Sequence, residues 1–217
     1  MDGLMDRQAS LNLRTVHGVA VVGCGGVGSW VAYMLALAGA QAVYLFDKDT
    51  ISPHNLNRLP VDFSEVNKRK SDAVRRFIKR VRPSCEVYSA GDFDPFIADE
   101  MGLGSEISHI IATTDTLKSR KMVRGWAANK GISYFEAAAE GSIGTVTDSP
   151  GDFATPDEEN PGYASVPVWV GPCVLSAAVV VGSIVHGLPF YDRTYRIGFG
   201  EKGVEFFDSM VKKGVAA

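Results

Sequence analysis

An α/β fold built on a doubly wound, mainly parallel sheet of the Rossmann-like kind, with a C-terminal β-hairpin extension, is predicted by three observations. Short apolar runs rich in β-formers alternate with helix-patterned segments over residues 19–138. The first run enters a glycine-rich turn and then a helix, in VAVVGCGGVGSW at 19–30. Near the C-terminus, TYRIGFGEKGVEFFDS at 194–209 sets two strand-patterned stretches on either side of GEKG, which reads as a hairpin.

In chain order, 19–22 and 42–46 are apolar strands, and 27–38 carries Ala, Leu and Val at helical spacing, so the three make a βαβ unit. A helix over 68–81 follows, with Ala73, Val74, Phe77, Ile78 and Val81 in one apolar stripe and Pro83 just past its end. EVYSA at 86–90 and HIIAT at 109–113 are strands, 117–129 a helix, and ISYFEAA at 132–138 and GSIGTVTD at 141–148 further strands. From there to 171 the chain is dense in Pro, Gly and acids without periodicity, and we read 148–171 as a long acidic loop. An apolar stretch over 172–187 closes the pattern as a buried helix with Pro172 in its first turn. It is shorter than the roughly 20 residues that a bilayer requires.

The 217 residues are expected to form a single domain over 1–217. With 22 basic and 25 acidic residues the formal net charge is −3, so the whole chain offers no electrostatic attraction to nucleic acid or anionic membranes. Cys24, Cys85 and Cys173 form no CxxC pair, which argues against a disulfide framework or structural zinc. The start, MDGLMDRQAS, lacks the apolar run of a secretory signal, and a cytoplasmic protein without a membrane segment is expected. His17, His54, His109 and His186 have no metal-ligand spacing among them. NKRKSDAVRRFIKRVR at 67–82 could dock an acidic protein or RNA, but a solvated helix face is the preferred reading.

Gly23, Gly25 and Gly28 satisfy G-x-G-x-x-G between a strand and a helix, and with Gly26 they let backbone amides approach phosphates. Asp47, ending the next strand, is placed to accept hydrogen bonds from ribose hydroxyls. A nicotinamide or flavin nucleotide would satisfy these features alone. DKDTISPHNLNRLP at 47–60 then adds Asn55 and Arg58, with Lys70 at the head of the basic helix and Asp115 beyond the HIIAT strand. In a doubly wound sheet all of these reach the rim of the glycine turn. Hydride transfer has little use for such a set, whereas attack of a carboxylate on the α-phosphate of ATP needs anions brought together and pyrophosphate charge compensated.

GCGGVGS, DKDTISPHNLNR, VNKRK and TTD, in this order over about 19–115, resemble the nucleotide site of the ubiquitin-activating superfamily that includes the ThiF, MoeB and HesA proteins. EAAAEGSIGTV and the helix after Pro172 are similar more loosely. The resemblance implies that Asp47 binds ribose, Asn55 and Arg58 contact phosphates, Lys70 stabilises the α-phosphate and Asp115 coordinates Mg²⁺, with Arg58, Lys70 and Asp115 as the catalytic residues. It further implies an ATP-dependent adenylyltransferase acting on the C-terminal glycine carboxylate of a small ubiquitin-like or sulfur-carrier protein ending in Gly-Gly, and a homodimer. The alternatives are activation of a carboxylate on modified tRNA, an NAD-dependent oxidoreductase, or a non-catalytic subunit. Three departures stand out. Leu59 and Pro60 follow Arg58 where the family usually has Gln; paired CxxC motifs are missing; and no cysteine lies in the acidic loop. Cys173, at a helix start, is read as a buried small residue, so no thioester cysteine of its own is expected. Arg7 and Arg14 are candidates for an arginine acting across a dimer, and neither is assigned.

Overall fold

The computed structural model describes residues 5–148, 167–188, 193–200 and 203–210. Strand β1 (Gly18–Val22) leads into α1 (Gly26–Leu37) and β2 (Ala42–Phe46), and α2 (Lys70–Val81) into β3 (Glu86–Ala90). Two short helices, α3 (Pro95–Glu100) and α4 (Leu103–Glu106), precede β4 (His109–Ala112), α5 (Leu117–Lys130) and β5 (Ser133–Glu140). The remainder is β6 (Ile143–Thr147), α6 (Val170–His186), β7 (Arg193–Gly200) and β8 (Gly203–Met210). Among the described residues these strands form one sheet in the order β3-β2-β1-β4-β5-β6-β7-β8. Pairing is parallel from β3 to β5 and antiparallel from β5 to β8. The expected doubly wound sheet with its terminal hairpin is therefore present.

The continuous apolar strands follow from burial on both faces. Alternate residues of β1 and β2 serve two cores: Val19, Val21, Val43 and Leu45 pack with Val31, Leu35, Ile78 and Ile184. Ala20, Val22, Tyr44 and Phe46 pack with Ala98, Leu103, Val123 and Trp126. Helix α6 lies against α1, β5 and β6, burying Val180, Val181 and Ile184 at helical spacing. Each such side chain contributes ~1.5–3 kcal/mol of apolar transfer.

Several elements differ from the sequence expectation. Helix α2 starts at Lys70 rather than 68, because Thr50 and Arg69 pair as a short bridge and the Lys68 carbonyl accepts from Ile51 N–H at 2.9 Å. Strand β5 runs on through Ala139 and Glu140, which pair with Gly144 and Ile143 of β6. The helices α3 and α4 were not anticipated. Helix α6 begins at Val170, so the last two residues of the expected 148–171 loop are helical; positions 149–166 of that loop lie outside the described residues. Among the described residues no helix is long and apolar enough to cross a membrane.

Candidate functional site

The strand order reverses between β1 and β4, and the crevice beyond their carboxyl ends is where open α/β sheets bind ligands. A cavity of about 570 Å³ opens there. Gly23, Gly25, Gly26, Asp47, Asn55, Arg58, Lys70 and Asp115 all line it. Gly28 does not. A Cβ at Gly28 would stand 1.9 Å from the Gly23 carbonyl oxygen and 2.5 Å from Thr113 Oγ1, so this glycine lets helix and turn approach. Gly23 supplies the turn itself, at φ +95°. Among the described residues nothing lies within 4 Å of a would-be Cβ on Gly25, the residue before α1.

Asp47 braces the glycine turn as well as facing the cavity. Its Oδ2 accepts from Cys24 N–H at 2.6 Å and its Oδ1 from Asp49 N–H at 2.8 Å. Burial pushes its carboxyl above the ordinary value, opposed by the Cys24 N–H and the Lys70 charge. Thr113 Oγ1 donates to the Gly23 carbonyl at 2.8 Å, which ties the end of β4 to the same turn.

The segment after β2 is held by a small apolar cluster of Ile51, Leu59 and Ala73. Leu59, the departure from the family pattern, is thus a packing residue. Asn55 is buried and its Oδ1 accepts from Ser52 N–H at 3.0 Å; with its oxygen so engaged, its NH₂ is the group left to donate to a ligand. Trp30 Nε1 donates to the Arg58 carbonyl at 2.8 Å, anchoring that residue on α1. The Arg58 guanidinium donates through Nη1 to the His54 carbonyl and to Asn57 Oδ1, at 3.0 and 2.8 Å. Lys70 opens α2, where a cation opposes the helix dipole, and Asp49 offsets this by accepting from Lys70 Nζ at 2.8 Å. The sequence pattern did not single out Asp49, although its place two residues after Asp47 is a local signal.

Cys173 also lines the cavity, near Gly26 and Arg58: a Cβ on Gly26 would lie 2.7 Å from its Sγ and 3.0 Å from Arg58 Cδ. Burial pushes this thiol up to about 11 despite the nearby Arg58, so at neutral pH it is protonated. Arg14 sits elsewhere. Its N–H donates to the Val185 carbonyl at 2.7 Å and its guanidinium covers Gly187 at the C-terminal end of α6, roughly 21 Å along the helix from Cys173 by helical rise. Much of the basic stretch is engaged locally. Arg76 pairs with Glu65 at 2.6 Å and Arg80 with Asp62 at 3.3 Å, while Arg75 and Lys79 donate to carbonyls of Val87, Pro83 and Cys85. Among the described residues no cluster of three or more His, Cys, Asp or Glu could hold a metal ion. A cation here would need Asp115 together with ligand phosphates, the usual mode for Mg²⁺.

Fold and cavity together define a Rossmann-like domain with a cation-lined pocket at its switch point. The ThiF family model matches residues 3–164. The chain belongs to that family. Among curated relatives, tRNA threonylcarbamoyladenosine dehydratase of Haemophilus influenzae is 29% identical over 130 residues, covering 59% of this chain and 49% of the relative. Ubiquitin-like modifier-activating enzyme 5 of Drosophila ananassae is 30% identical over 152 residues, covering 63% and 38%. The chain thus spans half or less of the length of these relatives. Among solved structures, E. coli MccB with ATP superposes with a TM-score of 0.71 at 18% identity, covering 93% of this chain and 66% of that one. PaaA gives 0.72 at 18% identity, covering 89% and 64%. At such identities the superpositions establish the fold alone.

Proposed function

We propose that this chain is an ATP- and Mg²⁺-dependent adenylyltransferase. Its substrate would be the C-terminal glycine carboxylate of a small ubiquitin-like or sulfur-carrier protein, converted to an acyl-adenylate with release of pyrophosphate. The observation that carries the proposal is the convergence of Asn55, Arg58, Lys70 and Asp115 with the glycine turn on one cavity. Membership of the ThiF family and relatives named as ubiquitin-like modifier-activating enzymes support it.

In this scheme the amides at the start of α1 and the Asn55 NH₂ hold phosphate oxygens, and Asp47 receives the ribose hydroxyls. An oxygen of the incoming carboxylate forms a bond to the α-phosphorus as the bond from that phosphorus to the bridging oxygen breaks, and the electron pair leaves with pyrophosphate. Lys70 and Arg58 compensate the negative charge on the α-phosphate and on the departing group, letting one anion approach another. Asp115 would hold Mg²⁺, whose charge would supply further neutralisation of the phosphates. No thiol takes part, in keeping with the protonated state of Cys173. The whole of 1–217 would act as a single adenylation domain, in a cytoplasmic homodimer.

A second reading, activation of a carboxylate on modified tRNA, is favoured by the relatives named as tRNA threonylcarbamoyladenosine dehydratases. The local engagement of Arg75, Arg76, Lys79 and Arg80 weakens it, because these cations are already used within the chain. The discriminating experiment is exchange of labelled pyrophosphate into ATP with either a carrier protein ending in Gly-Gly or modified tRNA as acceptor. Exchange dependent on the carrier's terminal glycine supports the first reading; exchange with tRNA alone replaces it by the second.

A further inference from the structure

Arg120 on α5 and Glu136 on β5 are charged residues only 4% and 0% exposed, and the proposed phosphate chemistry uses neither. Arg120 lines the cavity, and its Nη1 stands 3.9 Å from Glu136 Oε2. Tyr134 Oη lies 2.7 Å from Glu136 Oε1, to which it donates, and 3.2 Å from the Arg120 carbonyl oxygen. Burial, reinforced by the Glu136 charge, holds the Tyr134 phenol far above its ordinary value, so it remains a donor. Removing two charges from water costs desolvation that their mutual attraction need not repay, and an apolar pair of equal volume would serve packing as well. What an apolar pair could not supply is the bond from Arg120 Nε to the Thr114 carbonyl, at 2.7 Å.

Thr114 is the residue before Asp115. On either side of it the turn has two more anchors. Thr113 Oγ1 donates to the Gly23 carbonyl at 2.8 Å, and Thr116 Oγ1 accepts from Ser119 N–H at 3.2 Å, capping α5. The carboxylate of Asp115 is therefore carried on a turn fastened to the glycine loop, to a helix start and, through Arg120, to β5.

We infer that Arg120 and Glu136 form a buried positioning couple that fixes the turn at 114–116 and so sets how tightly Asp115 holds a divalent cation in the nucleotide-loaded cavity. The inference rests on the reading of Asp115 as the metal ligand. Tyr134 orients the Glu136 carboxylate, which faces the guanidinium, and the guanidinium pins the carbonyl next to the ligand. Without that pin the carboxylate samples more orientations and must be ordered when the cation binds. Loss of a group that orients a metal ligand commonly costs 10–100-fold in affinity.

The test uses the full chain with a non-hydrolysable ATP analogue and Mn²⁺ as a paramagnetic substitute for Mg²⁺, with free Mn²⁺ followed by electron paramagnetic resonance. Arg120→Lys keeps the charge but shortens and reshapes the donor, Glu136→Gln removes the counter-charge at equal volume, and Asp115→Asn is the control. In the first two variants Mn²⁺ affinity should fall on the order of tenfold, while analogue binding without metal stays near that of the unaltered chain; the thermal midpoint of Glu136→Gln should fall as well, because the buried guanidinium then lacks its counter-charge. Unchanged Mn²⁺ affinity in both, with Asp115→Asn impaired, would overturn the positioning role; so would a lowered midpoint with Mn²⁺ affinity intact, since that would mark a purely structural pair. If Asp115→Asn itself binds Mn²⁺ normally, the metal-ligand reading fails and the positioning role falls with it. Should Arg120→Lys not fold, Glu136→Gln and Tyr134→Phe carry the same test.

Discussion

Arg58 and Lys70 differ from ordinary surface cations in being tied in place at the cavity, Lys70 to Asp49, which also lines it, and Arg58 to the His54 carbonyl and Asn57. If they stabilise charge that develops during attack at the α-phosphate, their removal should lower turnover more than it weakens ATP binding. Arg58→Ala and Lys70→Ala should each reduce kcat on the order of 10²-fold in pyrophosphate exchange, by analogy with loss of one oxyanion donor. Near-normal exchange in Lys70→Ala would remove it from the chemistry. The glycines separate equally well. Gly28→Ala forces a Cβ against the Gly23 carbonyl and should cost ~1–3 kcal/mol of stability in urea unfolding. Gly25→Ala meets open space, so it should unfold normally while weakening ATP, whose phosphates would approach that side of the turn. Equal stability of the two variants would contradict this division.

At the scale of elements, what could be read in the sequence was whatever leaves a local pattern. Strands β1, β2 and β4 are buried on both faces and stand out as unbroken apolar runs. Helix α2 shows its stripe because its outer face is basic. Helices α3 and α4 were hidden because they are short and because Phe96 and Ile97 are exposed, at 69% and 45%, which blurs any apolar period; the cap formed by Asp94 before Pro95 was the overlooked signal. The cavity residues of 47–70 were legible from their spacing. Arg120 was not, since a cation on a helix reads as a solvated one until the fold brings Glu136, on another element, beside it.

Helix α6 illustrates the same limit, because its first turn delivers Cys173 to the cavity although the loop before it could not be followed in sequence. With its thiol pushed up to about 11, Cys173 has far less thiolate at pH 8 than a free cysteine. Its carboxymethylation should be on the order of 10²-fold slower than that of an unfolded control and should rise with pH toward 11. The sign follows from the cause: burial disfavours the charged form, so the reactive form appears only in more alkaline solution. Mass spectrometry of iodoacetate-treated protein measures it. Fast labelling at pH 7 would mean an activated thiol and reopen the question of a covalent step. Cys173→Ser should retain pyrophosphate exchange within about a few-fold, as phosphate chemistry requires no thiol.

For the whole molecule, the decisive property is how charge is gathered at one end of an otherwise mildly acidic chain of net charge −3. Lys48, Arg58, Lys70 and Lys118 face the cavity together with Asp47, Asp49, Asp92 and Asp115, a mixed field that suits a polyanion carrying its own divalent cation. A dinucleotide could use Asp47 and the glycine turn, as in any Rossmann-like domain. It would bring two phosphates and a nicotinamide that needs an apolar wall. ATP with Mg²⁺ should therefore bind more tightly than NAD, by on the order of tenfold or about 1.4 kcal/mol. Its affinity should also fall more steeply between low and physiological salt, because the additional phosphate contacts are the ones that ions screen. Titration calorimetry with each ligand at two salt concentrations measures both differences. Tighter binding of NAD, or an ATP affinity indifferent to Mg²⁺ and salt, would show that the cations around the switch point serve the stability of the loops and that another nucleotide reaction must be sought.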